Sequence, residues 1–162
     1  VKIVFLHGLE SSPNSAKVKF LREQGHEVLA PRLDRNDWEQ SVMAARDAIT
    51  AFQPDVVVGS SRGGAVAMVA RVSPIPTILI APAWKKYAPW ATISGSTVIL
   101  HSSQDWIVPF ADSEELARTF GAKLYDVGED HRMNDPEALS ALAVGLDWQG
   151  HGWFSKNLQD NT

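Results

Sequence analysis

Short apolar runs alternate along this chain with stretches whose apolar residues recur at helical spacing, and the alternation dictates an architecture. Runs rich in β-branched and aromatic residues at 2–6, 27–30, 55–58, 77–80, 97–100 and 123–126 read as strands. Between them lie helical patterns such as Trp38, Val42, Ala45, Ile49 and Phe52, a buried stripe that leaves Glu39, Arg46 and Asp47 on the wet side. Strand alternating with helix implies parallel strands joined by crossovers. Ile3-Val4-Phe5-Leu6 and Thr77-Ile78-Leu79-Ile80 are apolar at almost every position, so helices must cover both sheet faces. The expected fold is α/β and doubly wound, with an essentially all-parallel, six-stranded sheet. Ligands of such sheets gather at the carboxyl ends of the strands.

Capping residues punctuate the helices. Asn14 or Ser15 opens the first and Gly25 ends it; Asn36 or Asp37 opens the second. Asp112 reads as the cap of a helix carrying Glu115, Leu116 and Phe120, and Asp135 caps one with Pro136 at its first position.

The third strand carries the chemistry. It runs into Gly59-Ser60-Ser61-Arg62-Gly63-Gly64 and then into a small-residue helix, which makes G-x-S-x-G a nucleophile elbow with Ser61 at the turn. Neither the G-x-G-x-x-G of dinucleotide folds nor the Gly-Lys-Ser/Thr of a P-loop fits this spacing. The fifth strand leads into His101-Ser102-Ser103-Gln104-Asp105-Trp106, and the sixth into Gly128-Glu129-Asp130-His131. Ser61, Asp105 and His131 therefore follow the order Ser, Asp, His, each beyond a strand's carboxyl end. The first strand ends in His7-Gly8-Leu9, a loop whose backbone N–H groups, with that of Arg62, fit the two halves of an oxyanion hole. His7 reads as a structural histidine shaping this loop, in preference to a base.

Composition changes this picture little. A chain of 162 residues, 44% hydrophobic and 21% charged, suits one domain over residues 1–162 with a continuous core. A net charge of −4 argues against nucleic acid or an anionic membrane as partner, and the absence of cysteine leaves the chemistry to Ser, His and carboxylates. The apolar start is too short for a signal peptide or a membrane span, so a cytoplasmic setting is the default expectation. No metal ligand set or cofactor motif is called for. The segment between the fourth and fifth strands leaves no room for a lid; its Trp84, Tyr87 and Trp90 either wall an acyl pocket or cover the sheet edge. Trp84, Trp106 and Met133 are the candidate substrate-pocket residues. The tail, 150–162, holds His151, Trp153 and Phe154 but no readable motif.

Taken together, His7-Gly8 with Ser11-Ser12-Pro13, the elbow, the Asp105-Trp106-Ile107-Val108-Pro109 loop and the His131 loop resemble the α/β-hydrolase superfamily, in particular its small, lidless bacterial serine esterases. The resemblance covers nearly the whole chain. It implies the strand order 2-1-3-4-5-6, Ser61 as nucleophile, Asp105 as acid, His131 as base, and the N–H groups of Leu9 and Arg62 as oxyanion donors. Ser102 departs from the glycine that dienelactone-hydrolase-like relatives carry there, and their nucleophile is cysteine, which argues against such a lactone substrate. The Arg62 side chain either anchors a substrate carboxylate or forms a structural ion pair, the second being preferred. The expected activity is hydrolysis of small esters or thioesters without a cofactor. The alternatives are amide hydrolysis, acyl transfer or perhydrolysis by the same triad, or a non-catalytic ligand-binding module.

Overall fold

The computed structural model describes residues 1–72 and 74–151. Of the tail considered above, everything from residue 152 onward lies outside this range. The elements run β1 (Lys2–Leu6), α1 (Ala16–Glu23), β2 (Glu27–Leu29), α2 (Trp38–Phe52), β3 (Val56–Ser60), α3 (Arg62–Ala70), β4 (Thr77–Ile80), α4 (Trp84–Tyr87), β5 (Val98–His101), α5 (Phe110–Phe120), β6 (Lys123–Asp126) and α6 (Pro136–His151). The strands form one six-stranded sheet, order β2-β1-β3-β4-β5-β6, with every neighbouring pair parallel. This is the order that the resemblance implied.

The period-2 alternation of each strand sorts its side chains into two cores. Val4, Leu6, Val57, Leu79 and Ile99 meet Val42 and Ile49 of α2, Val66 of α3 and Leu116 of α5 on one face. Ile3, Phe5, Val56, Val58, Ile78 and Leu100 meet Val18 and Leu21 of α1 and Leu142 and Leu146 of α6 on the other. A sheet buried on both sides explains why its central strands are apolar at most positions, whereas the edge strands β2 and β6 are partly exposed.

Caps follow the sequence closely in three cases: Ser15 accepts from the N–H of Val18, Asp37 from that of Gln40, and Asp135 from that of Ala138. Asp112 is a correction. The helix begins two residues earlier, with Pro109 at its N-cap, and Asp112 lies in the first turn opposite Lys85 at 3.5 Å. Two strand ends also move. β3 extends to Ser60 because Ser60 still pairs with Ile80, and β5 reaches His101 because it pairs with Asp126. No described helix is long and apolar enough to cross a membrane.

Register is what matters for function. Leu6 pairs with Gly59, Ser60 with Ile80, Ile80 with Leu100 and His101 with Asp126, so the strands end in step. The loops after β1, β3, β5 and β6 therefore open on one rim.

Candidate active site

The elbow is tight because backbone meets backbone there. A Cβ on Gly63 would stand 2.1 Å from the Leu6 carbonyl oxygen and 2.5 Å from that of His7, and one on Gly59 would stand 2.5 Å from the Gly63 carbonyl oxygen. Only glycine allows α3 to press against the end of β1 and back onto β3. Ser61 takes up the reversal at φ 56° and ψ −119°, a conformation in which a non-glycine residue is strained. Its N–H donates to the Ile80 carbonyl (2.9 Å) and its own carbonyl accepts from the N–H groups of Ala83 (3.0 Å) and Gly64 (2.9 Å). These bonds hold the strain in place.

Three residues expected from the sequence meet at the rim. Ser61 Oγ lies 2.9 Å from His131 Nε2, and His131 Nδ1 lies 2.6 Å from Asp105 Oδ2. The carboxylate can only accept here, so Nδ1 carries the proton and Nε2 is free to accept from the serine hydroxyl. The Asp105 side chain is fully buried, the His131 ring 19% exposed. Asp105 Oδ1 accepts from the N–H groups of Ile107 (2.7 Å) and Val108 (2.9 Å). Burial pushes the carboxyl pKa up, but the Val108 N–H, His131 and the Ile107 N–H outweigh it and bring the group below its ordinary value. Asp105 is an anion at neutral pH.

The loop bearing His131 is fastened on several sides. Asp130 Oδ1 accepts from the N–H groups of Arg132 (3.0 Å) and Met133 (3.3 Å), and Asp135 Oδ1 from that of Glu129 (3.0 Å). The hydroxyl of Ser102 donates to the Gly128 carbonyl at 2.9 Å. Met133 is 1% exposed, held at φ 55° in the second core, and thus anchors the loop from beneath. Lys17, buried on α1, donates to the Arg132 carbonyl and to Asn134 Oδ1 (2.8 Å).

Burial pushes the Lys17 pKa down from 10.5 to about 8, against the opposing pull of Asp130 and Asp135. Below pH 8 the buried charge burdens the folded state in full; between 8 and 10.5 the unfolded chain keeps a proton that the folded chain has released, so stability rises with pH. A shift of this size corresponds to about 3 kcal/mol. Urea midpoints at both ends of that window are expected to rise more for the native protein than for Lys17→Met, which has no such proton to release.

On the other side of Ser61 stands the β1 loop. A Cβ on Gly8 would lie 3.3 Å from that of Ser61, so the loop abuts the serine. His7 Nδ1 donates to the Gly8 carbonyl (2.8 Å) and Nε2 accepts from the Leu33 N–H (3.0 Å). Burial lowers its pKa, with the nearby Arg62 and Arg32 adding to the effect, and both nitrogens are committed. It shapes the loop. Neither the Leu9 N–H in this loop nor the Arg62 N–H at the first position of α3 has a partner among the described residues.

Several side chains stand elsewhere than expected. Among the described residues Arg62 makes no ion pair, and its side chain is not an open anchor. It is 3% exposed, donates from Nη1 to Ser41 Oγ (3.1 Å) and from Nη2 to the Asp34 carbonyl (2.9 Å), and lies 5.5 Å and 5.6 Å from the ring centroids of Trp38 and Tyr87. Those two rings stack on each other, so the guanidinium is taken up by an aromatic pair instead of a carboxylate. Trp84, proposed for the substrate pocket, is a core residue whose indole N–H donates to the Asp112 carbonyl (3.0 Å); Met133, as above, is also core. Trp90 is exposed. Trp106 projects from the Asp105 loop at 94% exposure. A cavity of about 540 Å³ lies beside Leu9, lined by polar His7, Ser12, Arg32 and Asp34 and by apolar Pro13 and Leu33. The sequence pattern assigned His101 no role, although its Nε2 lies 2.9 Å from Asp105 Oδ2; the i,i+4 spacing to Asp105 at a strand end was the available signal.

A family pattern spans residues 2–134, from β1 through the His131 loop. The chain belongs to the uncharacterised protein family UPF0227. No curated protein matches this UPF0227 chain. Solved structures do. A protein from Xanthomonas campestris pv. campestris, assigned to the α/β-hydrolase superfamily, aligns with TM-score 0.76 at 22% identity over 91% of this chain and 96% of its own. Est1E from Butyrivibrio proteoclasticus aligns with TM-score 0.68 at 18% identity, over 89% and 85% of the two chains. The esterase domain of a Rhodothermus marinus protein gives 0.65 at 18%, over 91% and 85%. The UPF0227 chain thus has the α/β-hydrolase fold.

Proposed function

We propose that this UPF0227 chain is a serine hydrolase that cleaves small carboxylic esters or thioesters through an acyl-enzyme on Ser61. The observation that carries the reading is the continuous hydrogen-bond chain from Asp105 Oδ2 through His131 to Ser61 Oγ, at 2.6 Å and 2.9 Å. The similar fold of the esterase domain from Rhodothermus marinus supports the class of reaction.

His131 Nε2 takes the hydroxyl proton as Ser61 Oγ forms its bond to the acyl carbon. Asp105 holds the ring in the required tautomer and stabilises the imidazolium. The carbonyl oxygen, now negative, is received by the N–H groups of Leu9 and Arg62, and the positive end of α3 adds to their field. His131 then returns its proton to the leaving alcohol or thiol, and the C–O or C–S bond breaks. Water then loses a proton to His131 as its oxygen bonds to the acyl carbon, and His131 gives that proton to Ser61 Oγ as the acyl–Oγ bond breaks and the acid leaves. The cavity beside Leu9 receives part of the substrate. A small-molecule acyl substrate is the partner and the cytoplasm the setting in this reading; nucleic acid and membrane have no part in it.

Intact-mass analysis after exposure to a fluorophosphonate tests it. One adduct on the native protein and none on Ser61→Ala is the expected result, with turnover of p-nitrophenyl acetate lost in the same variant. A folded native protein that gains no adduct defeats the proposal.

A further inference from the structure

His101 is the last residue of β5, and its side chain is fully buried. Its Nε2 faces two groups that can only accept, Asp105 Oδ2 at 2.9 Å and the Val108 carbonyl at 3.1 Å, so this nitrogen carries the hydrogen. Its Nδ1 faces Ser113 Oγ at 2.6 Å, a hydroxyl that is itself buried and can donate. One proton satisfies the whole ring. Phe110 closes the remaining side, edge-on at 5.5 Å. Burial, opposed by Asp105, lowers the His101 pKa, so the ring stays neutral.

A histidine serving only to fill the core has no need of the triad acid. Here the oxygen that accepts the His131 N–H also accepts that of His101, while Oδ1 is filled by two backbone N–H groups. Four donors therefore surround one carboxylate, and two of them are imidazoles on the same oxygen.

We propose that His101 is a positioning residue that keeps Asp105 aimed at His131 and draws charge from the oxygen the two rings share. This rests on the serine-hydrolase reading above. The consequence is twofold. The carboxylate cannot rotate out of line with His131 Nδ1, and it holds the His131 imidazolium less firmly than an unshared oxygen would. A second donor on that oxygen leaves less of its charge for the imidazolium that forms as Ser61 gives up its proton.

The test compares fluorophosphonate labelling of Ser61 across pH in native protein, His101→Phe and His101→Gln. Phenylalanine keeps a ring against Phe110 but has no donor; glutamine places an amide N–H near the position of Nε2. At neutral pH the labelling rate of His101→Phe is expected to fall by roughly 10- to 100-fold, the worth of a hydrogen bond to a charged group, and the lower limb of its pH profile to move upward. His101→Gln is expected to recover most of the loss. Native-like rates and an unmoved limb in His101→Phe overturn the proposal. Should that variant fail to fold, nitrogen-15 NMR of the native histidines decides: a neutral His101 protonated at Nε2 throughout pH 5 to 9 supports the assignment, and an Nδ1-protonated or charged ring overturns it. A native protein that takes no label overturns the hydrolase reading and this proposal with it, whereas a labelled native protein indifferent to His101 overturns this one alone.

Discussion

Asp105→Asn is expected to lower kcat for ester hydrolysis by about 10⁴-fold, with little change in KM. The size of the effect follows from what surrounds the carboxylate. Oδ1 receives two backbone N–H groups that cannot move, and Oδ2 receives two imidazole N–H groups. An amide has one acceptor and one donor end. Turning its NH₂ toward Ile107 and Val108 would set donors against fixed donors, so the oxygen stays with the backbone and the NH₂ faces the histidines. Imidazoles can answer by changing tautomer, and His131 then carries its hydrogen on Nε2, where it can no longer accept from Ser61. Steady-state kinetics on p-nitrophenyl acetate measures the loss. An Asp105→Asn enzyme within tenfold of native would mean that Asp105 does not set the tautomer.

The second large effect is on the fold. Gly63→Ala places a methyl group 2.1 Å from the Leu6 carbonyl oxygen and 2.5 Å from that of His7. Neither oxygen sits on a flexible side chain: Leu6 belongs to β1, which is paired on both sides, and His7 is pinned to Leu33 and Gly8. To make room, α3 must withdraw from the sheet and take its Val66 and Ala67 out of the core. A loss of more than about 3 kcal/mol is expected, at or beyond the upper range for overpacking, because the obstacle is backbone. That is a large part of the stability of a typical domain. Urea denaturation followed by circular dichroism measures it, and a midpoint shift worth less than about 1 kcal/mol would contradict the described packing.

These two variants also show which parts of the molecule could be read in the sequence. The elbow was legible because glycine at 59 and 63 is a local necessity, and the sheet because the apolar pattern of its central strands records burial on both sides. The acid and base loops were legible by position alone: each follows a strand, and the strands end in step. The fate of long side chains was not. Arg62 carries a charge whose usual partner is a carboxylate, yet Trp38, Tyr87, Ser41 and the Asp34 carbonyl receive it, and this follows from how α2 and α4 pack against α3. Trp84 occupies the first turn of a four-residue helix whose orientation no periodicity could give. Lys17 meets the His131 loop from 115 residues away. Such contacts depend on three-dimensional neighbours that spacing along the chain does not encode. His101 was overlooked for a related reason, since a histidine ending a strand is ordinary until its ring is seen on Asp105.

The bonds that join Ser61, His131 and Asp105 span 70 and 26 residues of chain. Neither forms until β3, β4, β5 and β6 have assembled in that order. A sheet with only parallel neighbours contains no hairpin to nucleate it locally, so each pairing waits for a crossover to close. Helices, by contrast, gain much of their signal early. A fluorophosphonate pulse given during refolding would therefore count the molecules whose sheet has closed, separating completed folding from collapse with a single covalent mark.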